Sequence, residues 1–235
     1  SGALRECDSY ALKHNFCDTL RRYEEHYHVR ARQGEAKTEH DGAGIASAHD
    51  RVMFKHPIHA QDLQPDSAPR FALQDYAGDG RGVRYEKLEA NAGGVSLRAV
   101  GDKALLSKHI ALAGNAVLAT YLSAEQRELT VRLNLALPSC DGPAGRYWLN
   151  GQCPGGFGQS LQANAVRELT LEDDVLAGCL MINASAPVDL SAKAHHSVSQ
   201  SEAGFEKIMQ CVELDLRVFL RSNEPLELSL RVIPN

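Results

Sequence analysis

From Val83 to the end of the chain, apolar and polar residues alternate in short runs. "VRYEKLE", "GVSLRAV", "KALLSKHIALAG", "NAVLATYLS" and "ELTVRLNLAL" follow one another, and "VRELTLED", "AGCLMINAS", "CVELDLRVFL" and "LELSLRVIP" come later. Short breaks containing Gly, Asn, Asp or Glu separate them. In "VELDLRVFL", Val212, Leu214, Leu216, Val218 and Leu220 fall on one side, with Glu213, Asp215 and Arg217 on the other. A period of two is what an antiparallel strand with one wet face requires. About nine or more such strands predict a mainly β fold, a large antiparallel β-sandwich.

The first part of the chain reads differently. In "YALKHNFCDTLRRYEEHYHVRARQ", Leu12, Phe16, Leu20, Tyr23 and Tyr27 recur three or four apart. That spacing predicts a helix with one apolar face, with Arg21, Arg22, Glu24 and Glu25 on the other side. Asn15 or Asp18 could cap its start. "GEAKTEHDGAG" and "DLQPDSAP" then read as connectors. The expected organisation is one domain over residues 1–235, with a helical and irregular segment over 1–69 and sandwich strands over 70–235.

Composition narrows the function. A chain of 235 residues that is 43% hydrophobic can bury a sizeable core. A net charge of -5, with Lys and Arg scattered among acids, argues against nucleic-acid binding. No run approaches the ~18 apolar residues of a membrane span. Six cysteines without a CxxC pair fit free buried thiols in a reducing cytoplasm better than a zinc or redox motif. The expected location is therefore cytoplasmic. The chain starts Ser1-Gly2 without Met, and is expected to be the tail of something longer.

Candidate chemistry is sparse. Ten histidines suggest a metal, but His26 and His28, two apart on a predicted helix, diverge by about 200°. His49, His56 and His59 lie in irregular sequence without acids at ligand spacing, so no metal and no cofactor are expected. "NGQCPGGFGQS", from Asn150 to Ser160, lacks the lysine and Ser or Thr of a phosphate loop and reads as a long turn. Just before it, Tyr147 and Trp148 could offer an aromatic face to a sugar, although alternation turns one of the two inward. The densest polar run is "HHSVSQSEAGFEKIMQ", residues 195–210. His195 or His196 as acid and Glu202 as base would suit a stand-alone mutarotase- or epimerase-type sugar enzyme. The plainer reading has Ser197, Ser199 and Ser201 bonding backbone at a strand end, with Glu202 and Glu206 solvated.

A series of segments carries a resemblance. "NFCDTLRRYEEHYH" (15–28), "SAHD" (47–50), "RFALQDY" (70–76), "LSKHIAL" (106–112), "LTVRLNLALP" (129–138) and "LTLEDDVLAGCLMI" (169–182) lead into the box at 195–210. In this order they resemble the C-terminal domain of the α-amylase/4-α-glucanotransferase group of glycoside hydrolase family 57. Arg132, where an acid is expected, His195-His196 in place of Glu-Thr, and Cys211 in place of glycine depart from that pattern.

The resemblance implies a galactose mutarotase-like supersandwich that follows a (β/α)7 catalytic barrel. It implies that the nucleophile and the acid/base belong to that barrel, whose motifs do not occur here. The implied role is a non-catalytic domain that supports the barrel and contacts an α-glucan or oligosaccharide. The carbohydrate-contact candidates are Trp148, Tyr147, His196 and Glu202. A homo-oligomer built on the N-terminal helix is the remaining partner expectation.

Overall fold

A computed structural model describes residues 2–35, 57–101, 105–139, 142–201 and 204–235. The chain divides into two compact units. The first comprises Ser1–Thr19, Phe71–Ala194 and Cys211–Asn235, and the second Leu20–Arg70 and His195–Gln210.

The first unit holds the expected antiparallel β-sandwich. Its strands begin with a two-residue pair, β1 (Asp8–Ser9) and β2 (His14–Asn15), followed by β3 (Gln74–Ala77), β4 (Tyr85–Asn91) and β5 (Gly94–Ala99). Then come β6 (Ser107–Ala113), β7 (Ala116–Leu122), β8 (Arg127–Leu135), β9 (Gly145–Leu149) and β10 (Gln152–Gly156). The last four are β11 (Leu161–Asp173), β12 (Gly178–Ser201), β13 (Gly204–Leu220) and β14 (Leu226–Pro234), and β12 and β13 contribute residues to both units.

One run of hydrogen-bonded neighbours is β10-β9-β11-β12-β14-β7-β6-β5-β4. From β12 a second run branches through β13 and β8 to β3. The length of β12 makes this branching possible: its first residues, Gly178–Ala184, pair with β14, while the strand also pairs with β13. The expected strand covered only the "AGCLMINAS" part of it, although apolar residues continue at every second position from Ala184 to Ala194.

Burial follows the sequence pattern closely on the facing strands. Val212, Leu214, Leu216, Val218 and Leu220 are all buried, as are Leu129, Val131, Leu133 and Leu135 of β8. Leu226, Leu228 and Leu230 of β14 and Leu180 and Ile182 of β12 supply the other run's buried face. A polar connection crosses this core. Lys108 of β6 places Nζ 2.7 Å from Asp75 Oδ2 on β3, and both side chains are fully buried.

Two sequence expectations need correction here. The helix expected from Leu12 onward starts much later, as α1 (His26–Glu35), and Leu20 and Tyr23 are 58% and 62% exposed. Asn15 is the physical reason. Its Oδ1 accepts the N–H groups of Cys7 (3.0 Å) and Cys17 (2.9 Å), folding residues 7–17 into the β1–β2 pair. A side-chain amide bonded to nearby backbone competes with the helical ladder.

The stretch from Asn150 to Ser160 is also more ordered than a long turn. Asn150 (φ 49°) and Gly151 (φ 76°) form a two-residue hairpin, and β10 returns along β9 with Gln152 opposite Leu149. Positive φ at both positions is the geometry that Asn-Gly favours.

The second unit is built around α1, a short 3-10 turn at Ala60–Leu63, and the parts of β12 and β13 that fall within 195–210. Its apolar core is Ala31, Ile58, Leu63, Val198 and Phe205, with Tyr27 packed against it. The box at 195–210 is strand on both sides of 202–203. Its described residues belong to β12 and β13 rather than to a loop.

Candidate functional site

The sequence candidates fall into both units. Tyr147 and Trp148 sit on β9 in the first unit, and His195 and His196 lie on β12 in the second. Glu202, and with it His49 and His56, lies outside the described residues. His59 is exposed.

On β9, alternation sends neighbouring aromatics to opposite faces. Tyr147 is 1% exposed, and its ring meets Phe157 edge-on at 5.3 Å. Its hydroxyl reaches the Phe157 carbonyl at 3.4 Å, and burial raises its pKa well above that of an ordinary tyrosine. Trp148 faces the other way and is half-buried. Its indole N–H donates to Glu172 Oε2 at 2.6 Å.

Glu172 also accepts from Arg146 Nε (3.1 Å), and Arg146 grips Asp174 with two bonds of 2.9 and 2.7 Å. The register explains the grouping: Arg146 lies opposite Glu172, and Trp148 opposite Thr170. Further along the same face, Met181 lies opposite Thr170 and Arg231 opposite Met181.

The result is one aromatic ring fixed at its polar edge beside two carboxylates and a guanidinium. Such a set can stack on the apolar face of a sugar ring and exchange hydrogen bonds with its hydroxyls. Neither Glu172 nor Arg146 was singled out in the sequence. Their two-residue spacing from Asp174 and Trp148 was the signal, legible only once β9 and β11 are known to pair.

In the second unit, Asp66 is the hub. Its Oδ1 lies 3.2 Å from Arg22 Nη2 and 2.7 Å from Arg70 Nη2. Its Oδ2 accepts the Arg22 backbone N–H at 2.7 Å and Arg70 Nε at 3.0 Å. Burial by itself would raise the Asp66 pKa. The bonds and charges of Arg70 and Arg22 outweigh it and hold the carboxyl well below the usual carboxylate range.

His195 is 5% exposed, with Nε2 3.5 Å from Asp66 Oδ2. It therefore faces the hub rather than solvent, while His196 is half-buried.

His28, also buried, has a structural task. Nδ1 accepts the Glu25 N–H at 3.1 Å, ahead of α1, and Nε2 lies 3.2 Å from the Val198 carbonyl. The first bond requires a bare Nδ1, so Nε2 carries the proton and donates. The side chain thus satisfies one of the orphan N–H groups of a helix start, as the Glu of a capping box does. Among the described residues, no group of three or more His, Cys, Asp or Glu is arranged to hold a metal ion. Among them, too, no helix is long and apolar enough to cross a membrane.

The departure at Arg132 has a local partner. Arg132 makes two bonds of 2.7 Å to Asp215 on the paired strand and stacks over Tyr76 at 4.9 Å. Glu213 lies 3.4 Å from Arg132 and 2.9 Å from Lys193.

The fold therefore defines an antiparallel β-sandwich module with one anchored tryptophan on an open strand face. The chain belongs to the family described as alpha-amylase/4-alpha-glucanotransferase, C-terminal, whose sequence profile matches residues 1–232. Among solved structures it is similar to the 4-alpha-glucanotransferase from Thermococcus litoralis, with a TM-score of 0.60 and 19% identity. That match covers 100% of this chain and 34% of the glucanotransferase, so the chain spans about a third of that protein's length. Protein HI1317 matches with a TM-score of 0.44 and 8% identity over 72% of this chain and 83% of its own. Slr1438 from Synechocystis sp. PCC 6803 gives 0.41 and 12% over 69% and 74%. No curated protein matches the sequence significantly.

Proposed function

We propose that this chain is a non-catalytic β-sandwich module of a glycoside hydrolase family 57 enzyme acting on α-1,4-glucan. In this reading it buttresses the catalytic domain and offers carbohydrate the face that carries Trp148. The carrying observation is the family match over residues 1–232, together with a likeness that takes up only 34% of the glucanotransferase. The arrangement of Trp148, Glu172, Arg146 and Asp174 supports the contact half of the proposal. His196 and Glu202 remain secondary contact candidates, and Tyr147, with its ring in the core, serves packing.

Trp148 is the single tryptophan, so intrinsic fluorescence reports on this face directly. Titration with maltoheptaose is expected to shift the emission and to release heat at millimolar ligand. Trp148→Ala should abolish the heat. Absence of both signals at millimolar ligand would remove the carbohydrate contact and leave support of the catalytic domain as the role.

A further inference from the structure

The β1–β2 pair brings together two cysteines that are ten positions apart in sequence. The backbone N–H groups of Cys7 and Cys17 converge on one oxygen, Asn15 Oδ1, at 3.0 and 2.9 Å. The Phe16 N–H, next to Cys17, bonds the Cys7 carbonyl at 3.0 Å. Within this tight fold the two thiols lie close enough to perturb each other's ionisation. A disulfide would bring the two sulfurs to about 2.0 Å.

Accessibility separates the two. Cys17 is 5% exposed, whereas Cys7 is half-buried. The neighbouring Cys17 thiol lowers the Cys7 pKa, and the Cys7 thiol together with burial raises that of Cys17. The thiolate is the nucleophile in thiol–disulfide exchange, so Cys7 is the attacking partner and Cys17 the resolving one.

We propose that Cys7 and Cys17 form a redox-sensitive dithiol, which a low-molecular-weight disulfide such as oxidised glutathione converts into an intramolecular disulfide. The Cys7 thiolate attacks one sulfur of the reagent, breaking its S–S bond and releasing one glutathione thiolate, which takes up the Cys7 proton. Cys17 then loses its proton and attacks the Cys7 sulfur of the mixed disulfide. The second glutathione leaves as a thiol carrying that proton. Two protein thiols are oxidised and one glutathione disulfide is reduced to two thiols.

The sequence supplies a clean test. Cleavage after Arg5, Lys13 and Arg21 puts Cys7 in peptide 6–13 and Cys17 in peptide 14–21. The intact protein is incubated with oxidised glutathione, its remaining thiols are blocked, and it is denatured without reductant, digested with trypsin and mapped by mass spectrometry. The expected product is 6–13 joined to 14–21, separable by reduction. The exposed Cys153, converted to its glutathione adduct, shows that the reagent has acted. Cys17→Ser should trap a lasting glutathione adduct on Cys7, and Cys7→Ser should leave Cys17 a free thiol. Cys7 and Cys17 recovered as blocked thiols or separate adducts, in a sample whose Cys153 is modified, would overturn the proposal.

Discussion

Two buried aspartates, one in each unit, solve the same problem in different ways. Asp75 sits within the sandwich, where Tyr121 donates to Oδ1 at 2.9 Å and Lys108 to Oδ2 at 2.7 Å. Lys108 also donates to the Leu73 carbonyl at 2.7 Å and lies 5.1 and 5.5 Å from the ring centres of Tyr121 and Tyr85. Asp66 instead faces two arginines, whose side chains keep 20% and 14% of their exposure.

The difference lies in the cation. Burial pushes the Lys108 pKa below its ordinary value, and Asp75 opposes that shift. Arginine is more weakly hydrated than an ammonium and its planar fork pairs with both carboxylate oxygens, so Arg22 and Arg70 can hold Asp66 while remaining partly wet. The sandwich ion pair depends on partners supplied by distant strands. The Asp66 hub draws on Arg22 and on Arg70, four residues away.

Leu73 reinforces this contrast. It is fully buried with φ 56°, a left-handed conformation that costs a β-carbon residue roughly 1–2 kcal/mol. The Lys108 ammonium captures the carbonyl this conformation presents, so one cation neutralises Asp75 and secures an unfavourable turn.

The largest effect is expected from Asp75→Asn, which leaves Lys108 buried without its counter-charge. A loss of about 3–5 kcal/mol in urea unfolding is expected; a loss below 1 kcal/mol would show that water reaches the pair.

Asp66→Asn should cost less, about 2 kcal/mol, because Arg22 and Arg70 can turn toward solvent. Hydrogen exchange should show the lost protection concentrated in residues 20–35, 57–70 and 195–210. The pH dependence has a definite sign. The folded pKa of Asp66 is depressed, so its stabilisation is full above the unfolded value of about 3.9 and is lost as pH falls toward the folded one. Thermal melts of wild type and Asp66→Asn should therefore converge as pH drops from 6 to 2. A gap that stays constant would assign the loss to packing.

Replacing the sandwich network as a set, with Asp75→Leu, Lys108→Met and Tyr121→Phe, should recover most of the loss caused by Asp75→Asn. Stability within roughly 1–2 kcal/mol of the parent is expected, because no buried charge is stranded. The Leu73 carbonyl accounts for the remainder. His28→Ala removes the bond at the start of α1 and should cost the second unit about 1 kcal/mol. Amide exchange at Glu25 is the direct readout.

The legibility of the chain differed in the same way between its parts. The strands from β4 to β8, the later parts of β11 and β13, the start of β12 and the whole of β14 were readable because apolar and polar residues alternate along them. The N-terminal helix was misplaced because spacing of three and four cannot register that Asn15 bonds the amides of Cys7 and Cys17. Of the candidate site, Trp148 was legible as an aromatic beside a turn. Its partner Glu172 was not, since it stands 24 positions along the chain and meets it only through strand register.

The sequence by itself determined the sandwich and the family, because binary alternation and an ordered series of motifs are local properties. It also determined the Asn150–Gly151 turn, whose chemistry resides in two adjacent residues. Only the tertiary structure decided which polar residues are buried and with whom. Lys108 reads as an ordinary strand lysine, and nothing near it in sequence announces Asp75 or Tyr121. The tertiary structure also set His195 against Asp66 and turned Tyr147 inward while leaving Trp148 half-exposed. A charge or ring acquires its role from the dielectric and partners around it, and the pairing of distant strands supplies both.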